Sequence, residues 1–393
     1  MTLTADDDVD TELGSRFRRA TEGIIGVPAT QGNRVEVLRN GDEIFPSMLD
    51  TIGEAEHTID FLTFVYWEGE IGRKFAHALA DAAERGVRVR VLLDSWGART
   101  IEQSLIGLLE RTGVSVRWFR PLGRLHVGQV NHRTHRKVLI VDEAVGFTGG
   151  VGIADEWLGD AEDADHWRDT HFRITGPAVD GLRAAFLDNW SETDLELFDD
   201  QVDRFPHQPD AGSSVVQCVR GASETGNSDI YTLFRTLIQL ARERIRITTA
   251  YFAPDEEIIS RLAAAARRGV DVTILLPGPH ADKRFVQLAS QETFAPLLDA
   301  GVRIWTYQPT MIHAKIMTVD GVVANIGSAN LNARSTRLDE EINVVAIDPE
   351  LTRTLDRQFD EDLTRSSAVE SVSSRSPLER LMGAVLSPFR RFF

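Results

Sequence analysis

Apolar positions along this chain switch between helical and strand periods in a repeating order. Residues 44–66 read as a helix running into Thr58-Ile59-Asp60-Phe61-Leu62-Thr63-Phe64-Val65-Tyr66, whose β-branched and aromatic residues predict a strand. Phe75, Leu79, Ala82 and Ala83 then recur at helical spacing and stop at Gly86, a helix terminator. A strand over Val87–Leu93, a helix carrying Leu105, Leu108 and Leu109 as far as Gly113, and a strand over Val114–Phe119 complete the first run. Helix Leu233–Leu240 and strand Ile245–Phe252 open a second run of the same kind. Helices alternating with short apolar strands predict the α/β class, a sandwich built on a largely parallel sheet.

The second run repeats the first. Ala266-Arg267-Arg268-Gly269-Val270-Asp271-Val272 echoes Ala83-Glu84-Arg85-Gly86-Val87-Arg88-Val89, and Asp299-Ala300-Gly301-Val302-Arg303-Ile304-Trp305 echoes Arg111-Thr112-Gly113-Val114-Ser115-Val116-Arg117. A duplication whose loops differ slightly in length accounts for this self-similarity. It predicts two pseudo-symmetric lobes, 31–208 and 209–365. Their junction falls near 200–215, where Asp199-Asp200, Pro206, Pro209 and Gly212-Ser213-Ser214 break the periodicity. Residues 1–30, with the run Asp6-Asp7-Asp8-Val9-Asp10, predict a solvated, disordered acidic tail.

One stretch occurs in both lobes with its chemistry intact. His135-Arg136-Lys137-Val138-Leu139-Ile140-Val141-Asp142 returns as His313-Ala314-Lys315-Ile316-Met317-Thr318-Val319-Asp320, and in each copy a glycine (Gly149, Gly327) follows fourteen residues after the histidine. The pattern predicts a strand ending in a turn, with His and Lys on one face. The chain has ten histidines and only four lysines against thirty-nine arginines. Chance would give roughly 0.1 His-x-Lys triplets, so two with matched spacing stand out from ordinary core strands. A lysine in place of arginine offers a compact point charge for a phosphate.

Composition narrows the partners. A net charge of −17 favours solubility and disfavours a nucleic-acid backbone, which needs a basic surface. The single cysteine, Cys218, rules out an internal disulfide and fits a reducing cytoplasm. No signal peptide and no apolar run of about 18 residues is visible, so no transmembrane helix is expected. Residues 366–393 predict a Ser-rich linker and a basic amphipathic helix. Its apolar positions Leu378, Leu381, Met382, Val385, Leu386 and Phe389 are flanked by Arg375, Arg380, Arg390 and Arg391. Such a helix would lie peripherally on an anionic membrane or dock on the protein's own core, and Pro388 would fray its last turn. His126, His132, His135, His166 and His171 match no compact zinc spacing. Gly149-Gly150-Val151-Gly152 lacks the third glycine of a dinucleotide loop, and neither a nucleophile elbow nor a P-loop lysine is present.

The duplicated HxKxxxxD motif, followed by Gly149-Gly150-Val151-Gly152 and Gly327-Ser328-Ala329-Asn330, resembles the phospholipase D superfamily. Gly152 departs from its usual Asn. Phe147-Thr148-Gly149-Gly150, Trp167-Arg168-Asp169-Thr170-His171 and Gly176-Pro177-Ala178-Val179 further resemble bacterial cardiolipin synthases, over roughly residues 35–350. The resemblance implies two pseudo-symmetric α/β/α lobes with the active site at their interface and an anionic phospholipid substrate. The implied reaction passes a phosphatidyl group from phosphatidylglycerol to a lipid hydroxyl, at the inner face of the cell membrane. Phospholipid hydrolysis to phosphatidic acid is the first alternative, and a nuclease activity the second.

Two lobes can flank one phosphate with two histidines, one as nucleophile and one as general acid/base. His135 is taken as nucleophile and His313 as acid/base, an assignment the symmetry leaves reversible. Lys137, Lys315, Asn330 and Ser328 would hold the phosphate oxygens. Asp169, 34 residues after His135, and Glu341, 28 after His313, are placed by the resemblance as His-orienting carboxylates. The motif aspartates Asp142 and Asp320 belong to the same catalytic set, with the main part of fixing the strand-end turn. The scheme calls for no metal and no cofactor.

Overall fold

In the computed structural model, residues 5–121, 132–193, 205–221, 228–283 and 293–370 are described. Helix α1 (Ala5–Ile25) precedes the first repeat. That repeat runs β1 (Thr30–Arg39), α2 (Asn40–Glu54), β2 (Thr58–Thr63), α3 (Glu70–Glu84), β3 (Arg88–Asp94), α4 (Gln103–Arg111), β4 (Ser115–Phe119), β5 (Val138–Val141), β6 (Val145–Gly149), β7 (Thr170–Thr175) and α5 (Val179–Trp190). The second runs β8 (Ser214–Gly221), α6 (Asp229–Leu240), β9 (Arg244–Thr248), α7 (Glu256–Arg267), β10 (Asp271–Pro277), β11 (Arg303–Tyr307), β12 (Ile316–Val319), β13 (Val323–Gly327), β14 (Glu341–Ile347) and a helix at Pro349–Thr364, before an edge strand β15 (Ser366–Ala368).

The strands form one sheet in the order β15-β11-β10-β9-β12-β13-β14-β8-β1-β7-β6-β5-β2-β3-β4. Apart from β15, reading outward from the β8–β1 seam gives the same sequence of strands on both sides. The expectation of a largely parallel sheet is corrected. Only β2-β3-β4 and β9-β10-β11 run parallel, because these strands are linked by helices. β5-β6 and β12-β13 are hairpins, and a three-residue connection can join only antiparallel strands.

The motif aspartates explain those hairpins. Asp142 (φ 51°) and Asp320 (φ 53°) both sit in the left-handed region at the turn. Asp142 accepts from the backbone N–H groups of Glu56, His57 and Thr58 at 2.7–2.9 Å. Asp320 accepts from those of Arg242, Glu243 and Arg244 at 2.9–3.2 Å. Each carboxylate thereby clamps the helix-to-strand corner of its lobe. Neither belongs with the reacting groups: a whole strand separates each from its histidine, so their place in the catalytic set is corrected to a structural one.

Three clusters make up the main core. One fills the first repeat around Phe61, Phe75 and Phe147, and a second fills the other around Phe234, Ile247 and Ile274. The third draws on both repeats, joining Leu62, Ile140, Phe172 and Phe186 to Ala324, Ile326, Ile342 and Leu355. Alternation along β5 serves this layering, with Val138 and Ile140 in the shared cluster and Leu139 and Val141 in the first. The lobes therefore meet across a common apolar layer.

Two expectations about the termini are also corrected. The stretch 5–25 is a helix that packs on α6, with Phe17 fully buried in the second repeat's core and Leu13 and Ile25 beside it. The apolar residues at multiples of four outweigh the acidic run that suggested disorder. The Ser-rich stretch begins as β15, paired antiparallel to β11. The amphipathic segment 378–393 lies outside the described residues.

Candidate active site

Both motif histidines lie just before their strands, on segments that leave one lobe and pair with the other. The His135 N–H donates to the carbonyl of Glu340 at 2.8 Å, and the His313 N–H to that of Arg168 at 2.7 Å. Each is part of a short parallel bridge, Thr134 with Glu340 and Ile312 with Arg168. These two bridges are equivalent under the duplication. They place each histidine beside a carboxylate at or just before the start of a strand of the other lobe, Glu341 on β14 and Asp169 before β7.

The side chains follow. His135 Nδ1 lies 2.9 and 3.0 Å from the two carboxylate oxygens of Glu341, and His313 Nδ1 lies 2.9 Å from Asp169 Oδ2. Asp169 stands downstream of His135 in sequence and Glu341 downstream of His313, yet the pairing is crossed. Spacing along the chain could not show this, because the exchange is made by two tertiary bridges. With Nδ1–H donating to a carboxylate, Nε2 is the ring nitrogen left with a free lone pair in each histidine.

Electrostatics set the resting protonation. Burial, followed by the charges of Lys137 and Lys315, pushes His135 well below its ordinary value. Burial and Lys315 push His313 down to about 4, against the opposing pull of Asp169. Burial also raises Glu341, although Lys137 and the Ser328 hydroxyl oppose it. For Asp169, burial is outweighed by the His313 hydrogen bond and charge and by Lys315, and the group is held at about 2. At neutral pH both imidazoles are neutral. Desolvation lowers the lysines as well, Lys137 to about 8 and Lys315 to about 7.

Lys137 and Lys315 are buried next to their histidines. Lys137 Nζ donates to the His135 carbonyl at 2.8 Å, and Lys315 Nζ lies 2.9 and 3.1 Å from the His313 ring nitrogens. Two buried cations beside two imidazoles form a site for an anion in a protein that is strongly acidic overall.

Ser328 and Asn330, expected on the phosphate, hold other partners. Ser328 Oγ donates to Glu341 Oε2 at 2.5 Å and accepts from the Ile342 N–H, so it orients the carboxylate behind His135. Asn330 Oδ1 faces Thr249 Oγ1 at 3.4 Å and the Tyr251 N–H at 3.3 Å, which leaves only its NH₂ to offer a phosphate. The first lobe solves the same problem with other residues. A side chain at Gly150, the counterpart of Ser328, would collide with the Asp169 carboxylate, and Asp169 instead takes the Trp157 indole N–H at 2.9 Å. At Gly152 a Cβ would stand 2.6 Å from Val65 Cβ, so an Asn there would have to displace Val65.

Sequence reasoning missed the aromatic wall. Trp157, Trp167 and Tyr251 stand with ring centroids 5.2, 5.5 and 6.1 Å from that of His313, and Phe64 lies 5.2 Å from His135. These residues come from four different segments, so no spacing pattern joined them. The histidines weighed as a metal cluster are not gathered. His132 Nδ1 meets the Leu338 carbonyl, His166 Nδ1 meets Asp163 on an open surface, and His126 lies outside the described residues. His171 is buried, with Nδ1 unpartnered among the described residues and its pKa pushed down to about 4 by burial.

Comparison with known proteins identifies the family. The family model for cardiolipin synthase, PLD-like domain, matches residues 48–165 and 234–363, with one motif copy in each stretch. The cardiolipin synthase of Geobacillus thermodenitrificans is 35% identical over 347 residues, 88% of this chain and 69% of that protein. Cardiolipin synthase 1 of Bacillus cereus is 35% identical over 367 residues, 91% and 72% respectively. Among solved structures, phosphatidylserine synthase of Haemophilus influenzae superposes with a TM-score of 0.74 at 16% identity, over 96% of this chain and 97% of that one, a likeness of fold. With a catalytic-type histidine and lysine in each matched stretch and most of the chain aligned to these relatives, the chain belongs to the phospholipase D superfamily, as a cardiolipin synthase-like enzyme of phosphatidyltransferase type.

Proposed function

We propose that the protein makes cardiolipin by moving a phosphatidyl group from one phosphatidylglycerol to the hydroxyl of a second, through a phosphohistidine. The observation that carries this reading is the pair of crossed His–carboxylate contacts, each with its own buried lysine. Neutral His135 attacks phosphorus through Nε2; the P–N bond forms as the P–O bond to glycerol breaks, and His313, protonated once the anion is bound, gives the leaving oxygen its proton. In the second step His313 takes the proton of the acceptor hydroxyl, whose oxygen attacks phosphorus and releases His135. Lys137 and Lys315 stabilise the charge on the non-bridging oxygens in both steps. Glu341 and Asp169 hold the Nδ1 protons.

One feature favours His135 as the nucleophile: its carboxylate is backed by the Ser328 hydroxyl. No described helix is long and apolar enough to cross a membrane. Access to lipid is proposed to come from the basic amphipathic segment 378–393 at the anionic inner face of the cell membrane.

Incubation of the purified protein with phosphatidylglycerol vesicles, followed by mass spectrometry of the lipids, tests the proposal. Cardiolipin and free glycerol are expected, and both should vanish in His135→Ala and His313→Ala. Phosphatidic acid as the main product would replace transfer by hydrolysis.

A further inference from the structure

Lysine is rare in this chain, and three of its four copies gather in one region. Lys137 and Lys315 stand beside the histidines. Lys283, on the stretch after β10, places its ammonium 4.8 Å from the ring centroid of Tyr251. Tyr251 connects it to the site: its ring meets that of His313 edge-on at 6.1 Å, and its hydroxyl donates to Asp282 at 2.6 Å. Topology accounts for the gathering. β9 and β10 are parallel neighbours, and Ile316 at the start of β12 pairs with Thr248 at the end of β9. The chain leaving β9 (Tyr251), the chain leaving β10 (Asp282, Lys283) and the chain entering β12 (His313) therefore share one edge.

Lys283 differs from the other two in being exposed, as is Asp282. It stands outside the space between the histidines, yet near enough for its charge to help lower His135. The proposed reaction needs a cation at such a place. The acceptor phosphatidylglycerol presents a hydroxyl only three carbons from its own phosphodiester. Bringing that hydroxyl to the phosphohistidine brings a second negative charge to the rim of the site. The two buried lysines are already engaged with the first phosphate, and the protein as a whole repels anions.

We infer that Lys283, poised over the Tyr251 ring, binds the phosphate of the acceptor lipid and so selects an anionic lipid over a small alcohol or water as acceptor. The inference rests on the phosphatidyltransferase reading above and adds to it the origin of acceptor choice. A cation over an aromatic face keeps its N–H donors free for a phosphate. Tyr251 is a positioning residue, fixed at one end by Asp282 and at the other by His313.

The test offers phosphatidylglycerol vesicles and deuterated glycerol together to the full chain. Cardiolipin forms with one acceptor and deuterium-labelled phosphatidylglycerol with the other. Both products draw on the same phosphatidyl-enzyme, so their ratio reports acceptor choice and cancels changes in donor binding or in folded fraction. In Lys283→Gln the ratio of cardiolipin to labelled phosphatidylglycerol should fall roughly tenfold, the effect of one lost charge-assisted contact. Lys283→Glu should lower it further, and Lys283→Arg should restore most of it. An unchanged ratio in both Lys283→Gln and Lys283→Glu overturns the inference and leaves the transferase reading standing. A fall in both products at constant ratio also overturns it, by assigning Lys283 to the reacting phosphate. A wild-type protein that forms neither product overturns the transferase reading and the inference with it.

Discussion

In the proposed reaction the histidine that attacks phosphorus must keep its Nδ1 proton held, and Glu341, 2.9 Å from His135 Nδ1, would do this across the lobe interface. The crossed pairing makes a prediction that an uncrossed one would reverse. With a phosphodiester carrying a p-nitrophenolate leaving group, which needs little acid assistance, Asp169→Asn and His313→Ala should still release a burst of nitrophenolate. Glu341→Gln should lose it by about 10²–10⁴-fold, because the wrong tautomer is favoured. Stopped-flow absorbance measures the burst, and loss in Asp169→Asn with retention in Glu341→Gln would exchange the two roles. The lysines supply a pH dependence. Their ammonium forms are lost as pH rises through about 7 for Lys315 and about 8 for Lys137. Affinity for glycerophosphoglycerol, whose own charge is constant, should be greatest below pH 7 and decline from pH 7 to 9. Calorimetry near pH 8 in buffers of different ionisation enthalpy should show proton uptake on binding; pH-independent affinity would contradict the assignment.

Among the elements, the hairpin turns bear most of the motif's structural demand. Asp142 and Asp320 each satisfy three backbone N–H groups at a corner where the chain itself is left-handed. Asp142→Ala should cost about 1–2 kcal/mol, since it removes the acceptor of three backbone N–H groups, two of which water can reach. Urea denaturation would show the loss, while kcat per folded molecule should stay near the wild-type value. A large fall in kcat without a stability change would return Asp142 to the chemistry. The buried histidines add a pH effect on stability. His313 and His171 are pushed down to about 4, below the unfolded value near 6.5, so the unfolded chain binds more protons between these limits. Their contribution should be level above pH 6.5 and decline as pH falls towards 4, whereas the lowered Lys315 and Lys137 should make stability rise with pH above about 7 and 8. Chemical denaturation at several pH values checks this, and His171→Asn, the residue type at the equivalent Asn343, should flatten the slope.

At the scale of the whole molecule, the lobes share the β1–β8 seam, the third core cluster and both halves of the active site. Residues 1–208 produced alone should therefore expose a large apolar face and bind a hydrophobic dye such as ANS. Co-expression with 209–393 should restore activity. A well-folded, monomeric 1–208 fragment with a cooperative thermal transition would show that the shared cluster is dispensable. α1 adds a second tie, since it precedes the first lobe in sequence and packs on the second.

Much of this was legible in the residues themselves. The alternation of helix and strand, the duplication and the paired His-x-Lys segments follow from local periodicity and composition, which act over a few residues and need no partner to be read. Asp142 and Asp320 were readable for the same reason, because a turn is a local event. Lys283 could have been noticed by the rarity that singled out Lys137 and Lys315, but rarity does not say where a side chain goes. The exchange of Asp169 and Glu341 between lobes, the diversion of Ser328 to a carboxylate, the tryptophans around His313 and the docking of α1 were decided only by the tertiary structure. Each depends on which segments meet across the seam, and that is set by the burial of a core built from both halves rather than by any single stretch of chain.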